Sequence, residues 1–227
     1  MSKLTWSYGI TTHVSRFDDL LPRTLASLAN SGFEEPRLFV DGATSVPASL
    51  QGLPATFHMP ALRPFGNWYT AAIELTIRAP EADRYAIFQD DMVTGLHLRE
   101  YLEQTEYPET GYQNLYLWNC NSHADREGWY LSDQMGKGGV ALVFSNKAMR
   151  TLLGTRYMAD RSLDPRRGHR ALDGGIVSAL KKERWQEWVH KPSLVDHVGD
   201  KSAMGNSKHP KTKDFMGEDF DYLTLLK

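Results

Sequence analysis

Arg84-Tyr85-Ala86-Ile87-Phe88-Gln89-Asp90-Asp91-Met92-Val93 is the stretch on which the fold turns. Its first half is an apolar run of strand formers, and four to eight such residues in succession read as a buried strand. The run stops at Gln89, Asp90 and Asp91 and resumes at Met92. Adjacent carboxylates are costly to bury unless a cation or hydrogen-bond donors meet them. In open α/β sheets ligands lie beyond the carboxyl ends of the strands, which is where this pair would fall. Two readings stay open for the pair: a polar turn leading into the next element, or a site for a hard cation such as Mg²⁺ or Mn²⁺.

Working outward, the chain before this stretch alternates strand and helix. Trp6 to Thr12 reads as a strand followed by the polar loop Thr11, Thr12, His13, Ser15 and Arg16. Leu21, Leu25 and Leu28 recur at helical spacing, with Pro22 tolerated in the first turn and Ser31-Gly32 as the stop. Arg37 to Val40 is a second strand ending in Asp41-Gly42, and a short strand is predicted at Ala55 to Met59. After the turn Arg63 to Asn67, the positions Trp68, Ala71, Ala72 and Leu75 give a helix one apolar face. Strand–helix–strand units whose strands end in polar residues predict an α/β fold with a mostly parallel sheet and one ligand-bearing edge.

Beyond the acidic pair, Leu96 to Gln104 reads as helix and Leu115 to Trp118 as strand. The polar stretch 119–137 carries Trp129 and Tyr130, candidates for stacking on a sugar or base or simply for burial. Gly136-Lys137-Gly138-Gly139 precedes a strand at Val140 to Phe144 but lacks the Lys-Ser/Thr of a phosphate-binding P-loop. A helix follows from Asn146 to Leu153, a second one opens at Asp173-Gly174-Gly175, and Trp188 to His190 reads as a short strand.

The 227 residues suit one domain with a small appendage: a domain over residues 1–200 and a C-terminal tail over 201–227, partly flexible and packing on the domain. Cys120 is the single cysteine, which excludes an intrachain disulfide and a cysteine-based zinc site and reads as a packed thiol. No apolar run reaches the ~18 residues of a membrane span and no signal-peptide pattern opens the chain, so a soluble, cytoplasmic protein is expected. The net charge is −2, yet residues 161–213 hold 12 Lys or Arg against 6 Asp or Glu. Such asymmetry reads either as a face for an anionic partner or as solvated surface charge.

The segments GITTHVSRFDDLLPRTLASLANSGF, FVDG, GNWYTAA leading to YAIFQDD, GGVALVFS, LDGG and PSLVDHVG, in this order, resemble the GT-A glycosyltransferases. The resemblance implies a single Rossmann-like GT-A domain that moves a sugar from a nucleotide-diphosphate sugar, UDP-sugar above all, to a hydroxyl. It implies Mn²⁺ or Mg²⁺ at an Asp-x-Asp-type motif, here Gln89-Asp90-Asp91, with Asp91 and His197 as metal ligands and Gln89 replacing the usual acid. It implies inversion, with Asp173 as general base. Thr11, Thr12, His13 and Asp41 would meet the nucleoside, and Arg63, Asn67, Asp90 and Gly139 would complete the donor site. The basic residues Arg161, Arg166, Arg167, Arg170, Lys208 and Lys211 would border the acceptor, which suits DNA carrying a hydroxymethylated pyrimidine, as in phage. A glycan or protein acceptor, a nucleotidyltransferase and a non-catalytic sugar- or nucleic-acid-binding module are the competing readings.

Overall fold

The computed structural model describes residues 3–162, 172–199 and 211–226. Strand β1 (Trp6–His13) leads through helix α1 (Leu20–Asn30) to β2 (Arg37–Asp41), and β3 (Ala55–His58) follows. Helix α2 (Arg63–Arg78) returns the chain to β4 (Arg84–Gln89). All four strands run parallel, in the order β3-β2-β1-β4, so the strand order reverses at β1. A crevice opens at such a reversal, because the connections on either side leave in opposite directions.

Past Gln89 the chain turns at Asp90-Asp91 and enters the short strand β5 (Met92–Thr94), then α3 (Leu98–Gln104) and β6 (Gly111–Asn114). Strand β7 (Gly128–Leu131) and β8 (Ala141–Ser145) precede α4 (Asn146–Gly154), α5 (Arg156–Ser162) and α6 (Leu172–Lys182). β9 (Gln186–Lys191) and β10 (Val195–His197) close the list of strands. The large sheet is mixed, with order β3-β2-β1-β4-β8-β6-β9-β7, and β8 runs antiparallel to both β4 and β6. β5 and β10 form a separate antiparallel pair.

The near-continuous apolar reading of β4 follows from burial on both faces. Ala86 and Phe88 point into the core layer under α1 and α3, and Tyr85 and Ile87 into the layer under α2, α4 and α6. β8 divides in the same way, with Val143 on the first side and Leu142 and Phe144 on the other. The strand period of two therefore hides within an unbroken hydrophobic run.

Two expectations change. The apolar run Leu115 to Trp118 is not a strand; pairing with β8 and β9 occurs one segment earlier, at Gly111–Asn114. Leu115 and Leu117 are fully buried in a loop whose N–H groups reach Ala141 O and Ser193 Oγ, so burial and satisfaction are achieved without a ladder. Cys120 is exposed rather than packed, with Sγ 3.2 Å from Asp133 Oδ2 and 3.3 Å from Lys137 Nζ.

Residues 211–226 lie against the β5–β10 pair. Tyr222 is fully buried and donates to Leu194 O at 2.7 Å, and Leu96 N donates to Phe220 O at 2.8 Å. Thr212 N reaches Asp196 Oδ1, and Arg23 meets Glu218 at 2.6 Å. No helix among the described residues is long and apolar enough to cross a membrane.

Candidate functional site

The carboxyl ends of β1, β2 and β3 stand in one register row, His13 beside Asp41 beside His58, and the Asp90-Asp91 turn leaves β4 next to them. That turn is fixed from three directions. Buried Thr24 of α1 shares its hydroxyl between Asp90 O at 3.0 Å and Met92 O at 2.8 Å, and accepts from Met92 N at 3.2 Å. The antiparallel register sets His197 opposite Met92, and Val198 N donates to Asp91 O at 2.8 Å. His13 N donates to Asp90 Oδ2 at 3.2 Å.

The turn delivers two different carboxylates. Asp91 Oδ2 lies 3.1 Å from His197 Nε2 and 3.8 Å from Arg16 Nη2, with all three side chains at most 10% exposed. Asp91 Oδ1 is buried and has no hydrogen-bond partner among the described residues. Asp90 is pushed up to about 6, mainly by burial and then by the charge on Asp91. The Thr12 hydroxyl, the His13 N–H and Arg16 pull the other way.

Asp41 and Asn67 are committed to the wall of this edge. Asp41 Oδ1 accepts from Leu62 N at 2.7 Å and Oδ2 from Arg63 N at 2.8 Å, so it caps α2 from outside the helix. Asn67 is 3% exposed; Nδ2 donates to Phe39 O at 2.9 Å, and Oδ1 lies 3.0 Å from His58 Nδ1. Arg63, whose φ is 66°, is exposed at the head of the helix. Thr11 Oγ1 donates back to Phe88 O at 3.3 Å.

Asp173 sits in the first turn of α6, one residue inside its start. Burial raises its carboxyl above the ordinary range, opposed by N–H groups of Gly139, Gly138 and Asp173 itself. Gly139 is needed for close approach: a Cβ there would lie 2.6 Å from Asp173 Oδ1. On the other side of the same residue, Gln89 Nε2 donates to Gly139 O at 3.0 Å. The structure thus brings together Thr12, His13 and Asp90, then Asp91 and His197, then Gly139 and Asp173.

Arg16 and Thr24 were not singled out by the sequence. Arg16 reads there as one more polar loop residue, and nothing local announces an ion pair with a carboxylate 75 positions later. Of the basic residues assigned to the acceptor side, Lys211 is exposed. The side chain of Arg161 and all of Arg166, Arg167, Arg170 and Lys208 lie outside the described residues.

Among the described residues no group of three or more His, Cys, Asp and Glu is arranged to hold a metal ion. Asp91 Oδ1, buried without a donor among the described residues, is the oxygen a hard cation would find open, and Mg²⁺-type ions commonly take one or two carboxylates, completing their shell with phosphates and water.

No family model matches the chain, and no curated protein matches it. Among solved structures it is similar to the crystal structure of GalNAc-T7 with UDP, GalNAc and Mn²⁺, at a TM-score of 0.61 and 11% identity over 86% of this chain and 44% of that one. A TM-score of 0.49 and 10% identity relate it to S. aureus TarS, over 82% of this chain and 36% of that one. The chain therefore spans less than half the length of either. At the level of fold the likeness is to the GT-A domain: one α/β unit with a mixed, mostly parallel sheet flanked by helices.

Proposed function

We propose that the chain is a glycosyltransferase that moves a sugar from a nucleotide-diphosphate sugar to a hydroxyl acceptor. The observation that carries this reading is the buried Asp91, with one oxygen against His197 and Arg16 and the other without a donor among the described residues, at the strand-order reversal of a GT-A-type sheet. One solved structure similar to this chain holds UDP and Mn²⁺, and a UDP-sugar is the donor we favour.

Departure of a nucleoside diphosphate concentrates negative charge on the leaving phosphate. Arg16 lies 3.8 Å from Asp91 and would face that charge, and Asp91 and His197 would hold Mn²⁺ or Mg²⁺, which would supply Lewis-acid stabilisation. Thr11, Thr12 and His13 line the edge where the nucleoside would lie, with Arg63 at the head of α2 and Asp41 and Asn67 stiffening the wall behind them. Asp173 would accept the proton of the attacking hydroxyl. A base works best with its pKa near the working pH, and burial moves this carboxyl in that direction. Direct displacement by that hydroxyl would invert the anomeric centre.

For the acceptor we carry forward a hydroxymethylated pyrimidine in DNA, on the basic composition of residues 161–213. A glycan or protein hydroxyl is the alternative. A second reading of the donor side rests on Arg16: its guanidinium, 3.8 Å from Asp91, would serve the leaving phosphate with no metal required.

The test is hydrolysis and transfer from a panel of nucleotide sugars, with Mn²⁺ or with EDTA, using the wild-type chain, Asp91→Asn and Asp173→Asn. Transfer that Asp91→Asn abolishes, and that Asp173→Asn abolishes while nucleotide binding persists, supports the proposal. No turnover of any nucleotide sugar refutes it. Activity retained in EDTA selects the Arg16 reading. Labelled sugar appearing in a glycan but not in hydroxymethylated DNA discards the DNA acceptor.

A further inference from the structure

Gln89 stands where a carboxylate would be expected beside Asp90 and Asp91, and its contacts give it a different task. It is the last residue of β4, tied to the neighbouring strand by Gln89 N donating to Val140 O at 2.8 Å. Its side chain does not turn toward Asp91; Nε2 donates to Gly139 O at 3.0 Å. That same glycine abuts the Asp173 carboxylate: a Cβ on Gly139 would lie 2.6 Å from Asp173 Oδ1. Gly139 is thus held by its carbonyl on one side and packs against the Asp173 carboxylate on the other.

The loop has little freedom to adopt another path. Val140 N closes a tight turn onto Gly138 O at 2.7 Å, and Lys137 O accepts from Asn114 Nδ2 at 3.1 Å. Asn114 also donates to buried Glu187, whose other oxygen accepts from Ser132. The Gly139–Val140 peptide is therefore held at both ends, at its N–H by Gly138 O and at its carbonyl by the Gln89 amide. Asp or Glu at position 89 has no N–H to give, and would set an acceptor against an acceptor.

We propose that Gln89 is a positioning residue: its amide holds the Gly139 carbonyl, and so the stretch of backbone against which the Asp173 carboxylate packs, joining the strand end that carries Asp91 to the helix that carries the base. This rests on the glycosyl-transfer reading for its catalytic meaning, but the linkage itself is a property of the fold. Gln89 is then absent from the metal shell by design of its contacts, and replacing it with an acid does not restore a stronger cation site.

The experiment uses the full chain with Gln89→Glu and the near-isosteric, donor-free Gln89→Met. Transfer rate, donor KM, Mn²⁺ affinity and the ¹³C-NMR titration of the Asp173 carboxyl are measured for each. Loss of one such hydrogen bond predicts a fall in kcat of roughly tenfold for Gln89→Met and more for Gln89→Glu. Donor KM and Mn²⁺ affinity stay within about twofold. With the Gly139 backbone released from beside the carboxylate, its pKa-lowering influence weakens, and the Asp173 titration and the acid limb of the rate move to higher pH. An unchanged Asp173 titration in both variants overturns the proposal, as does a Gln89→Glu chain that binds Mn²⁺ more tightly and turns over faster. If no sugar transfer exists in the wild type, the NMR titration still decides the linkage, so the two readings fail separately.

Discussion

Acidification should weaken the fold through one histidine. His190 on β9 is 1% exposed, and its Nδ1 lies 2.7 Å from Pro192 O, so Nδ1 carries the proton and Nε2 accepts from the Tyr101 hydroxyl at 2.6 Å. The Trp129 ring packs edge-on at 5.0 Å. Burial holds the imidazole neutral and takes it from 6.5 down to about 4. A depressed native pKa means stability that is whole above pH 6.5 and is lost as pH falls toward 4, because only the unfolded chain gains the proton. The gap of about 2.5 units corresponds to roughly 3 kcal/mol in full, of which about 2 kcal/mol is gone by pH 5. Buried Asp90 and Glu187 and half-buried Asp173 act in the opposite sense. Their native pKa values are raised, so their burial costs least at low pH and most above it. The wild-type curve alone would mix these effects, and the measurement is therefore a difference. Urea unfolding is followed from pH 7 to pH 4.5, in EDTA, for the wild type and for His190→Asn, whose amide can still donate to Pro192 O. The variant starts less stable, and the gap between the two should close by about 2 kcal/mol by pH 5. A gap independent of pH, or an NMR titration of His190 near 6.5, refutes the argument.

Thr24→Val keeps the shape of a fully buried side chain and removes the hydroxyl that binds Asp90 O, Met92 O and Met92 N. It should cost about 1–3 kcal/mol in chemical denaturation, and a cost under about 0.5 kcal/mol would show that the turn satisfies itself. Gly136→Ala meets both a φ of 64° and a Cβ position 2.5 Å from Asp173 O. It should lower stability by at least ~1 kcal/mol and depress transfer while leaving nucleotide binding intact; full activity would show that the loop is free to move. Asp41→Ala removes the acceptor for two N–H groups at the head of α2 and should cost about 1–2 kcal/mol without any ligand present, read from urea melts. A stability change confined to the nucleotide-bound chain would instead make Asp41 a ligand contact.

The strand–helix–strand opening was legible because each element carries its own period: Leu21 and Leu28 face the core at helical spacing, and the run Tyr85 to Phe88 is apolar because both faces of β4 are covered. Local chemistry also announced the breaks at Ser31-Gly32 and after Asp41. Leu115 to Trp118 misled because apolar burial does not distinguish a strand from a loop that finds its partners in side chains, here Ser193. The strand at Gly128–Leu131 was hidden in a polar stretch, since it lies at the sheet edge and pairs on one side with β9.

The sequence by itself determined the α/β class, the polar strand ends that form one edge, and the two adjacent carboxylates Asp90 and Asp91 at the end of β4. Tertiary structure alone decided which distant groups meet them. Arg16 and His197 reach Asp91 across 75 and 106 positions, Gln89 turns to Gly139 instead of to its acidic neighbours, and Asp41 and Asn67 are drawn into the wall. The physical reason is that propensity and periodicity act over a few residues. The partner of a buried polar atom is chosen by whichever distant segment the packing brings within about 3 Å. The run Arg84 to Val93 states that two carboxylates will sit at the edge of a sheet; only the folded chain states which of them is left with an oxygen to offer.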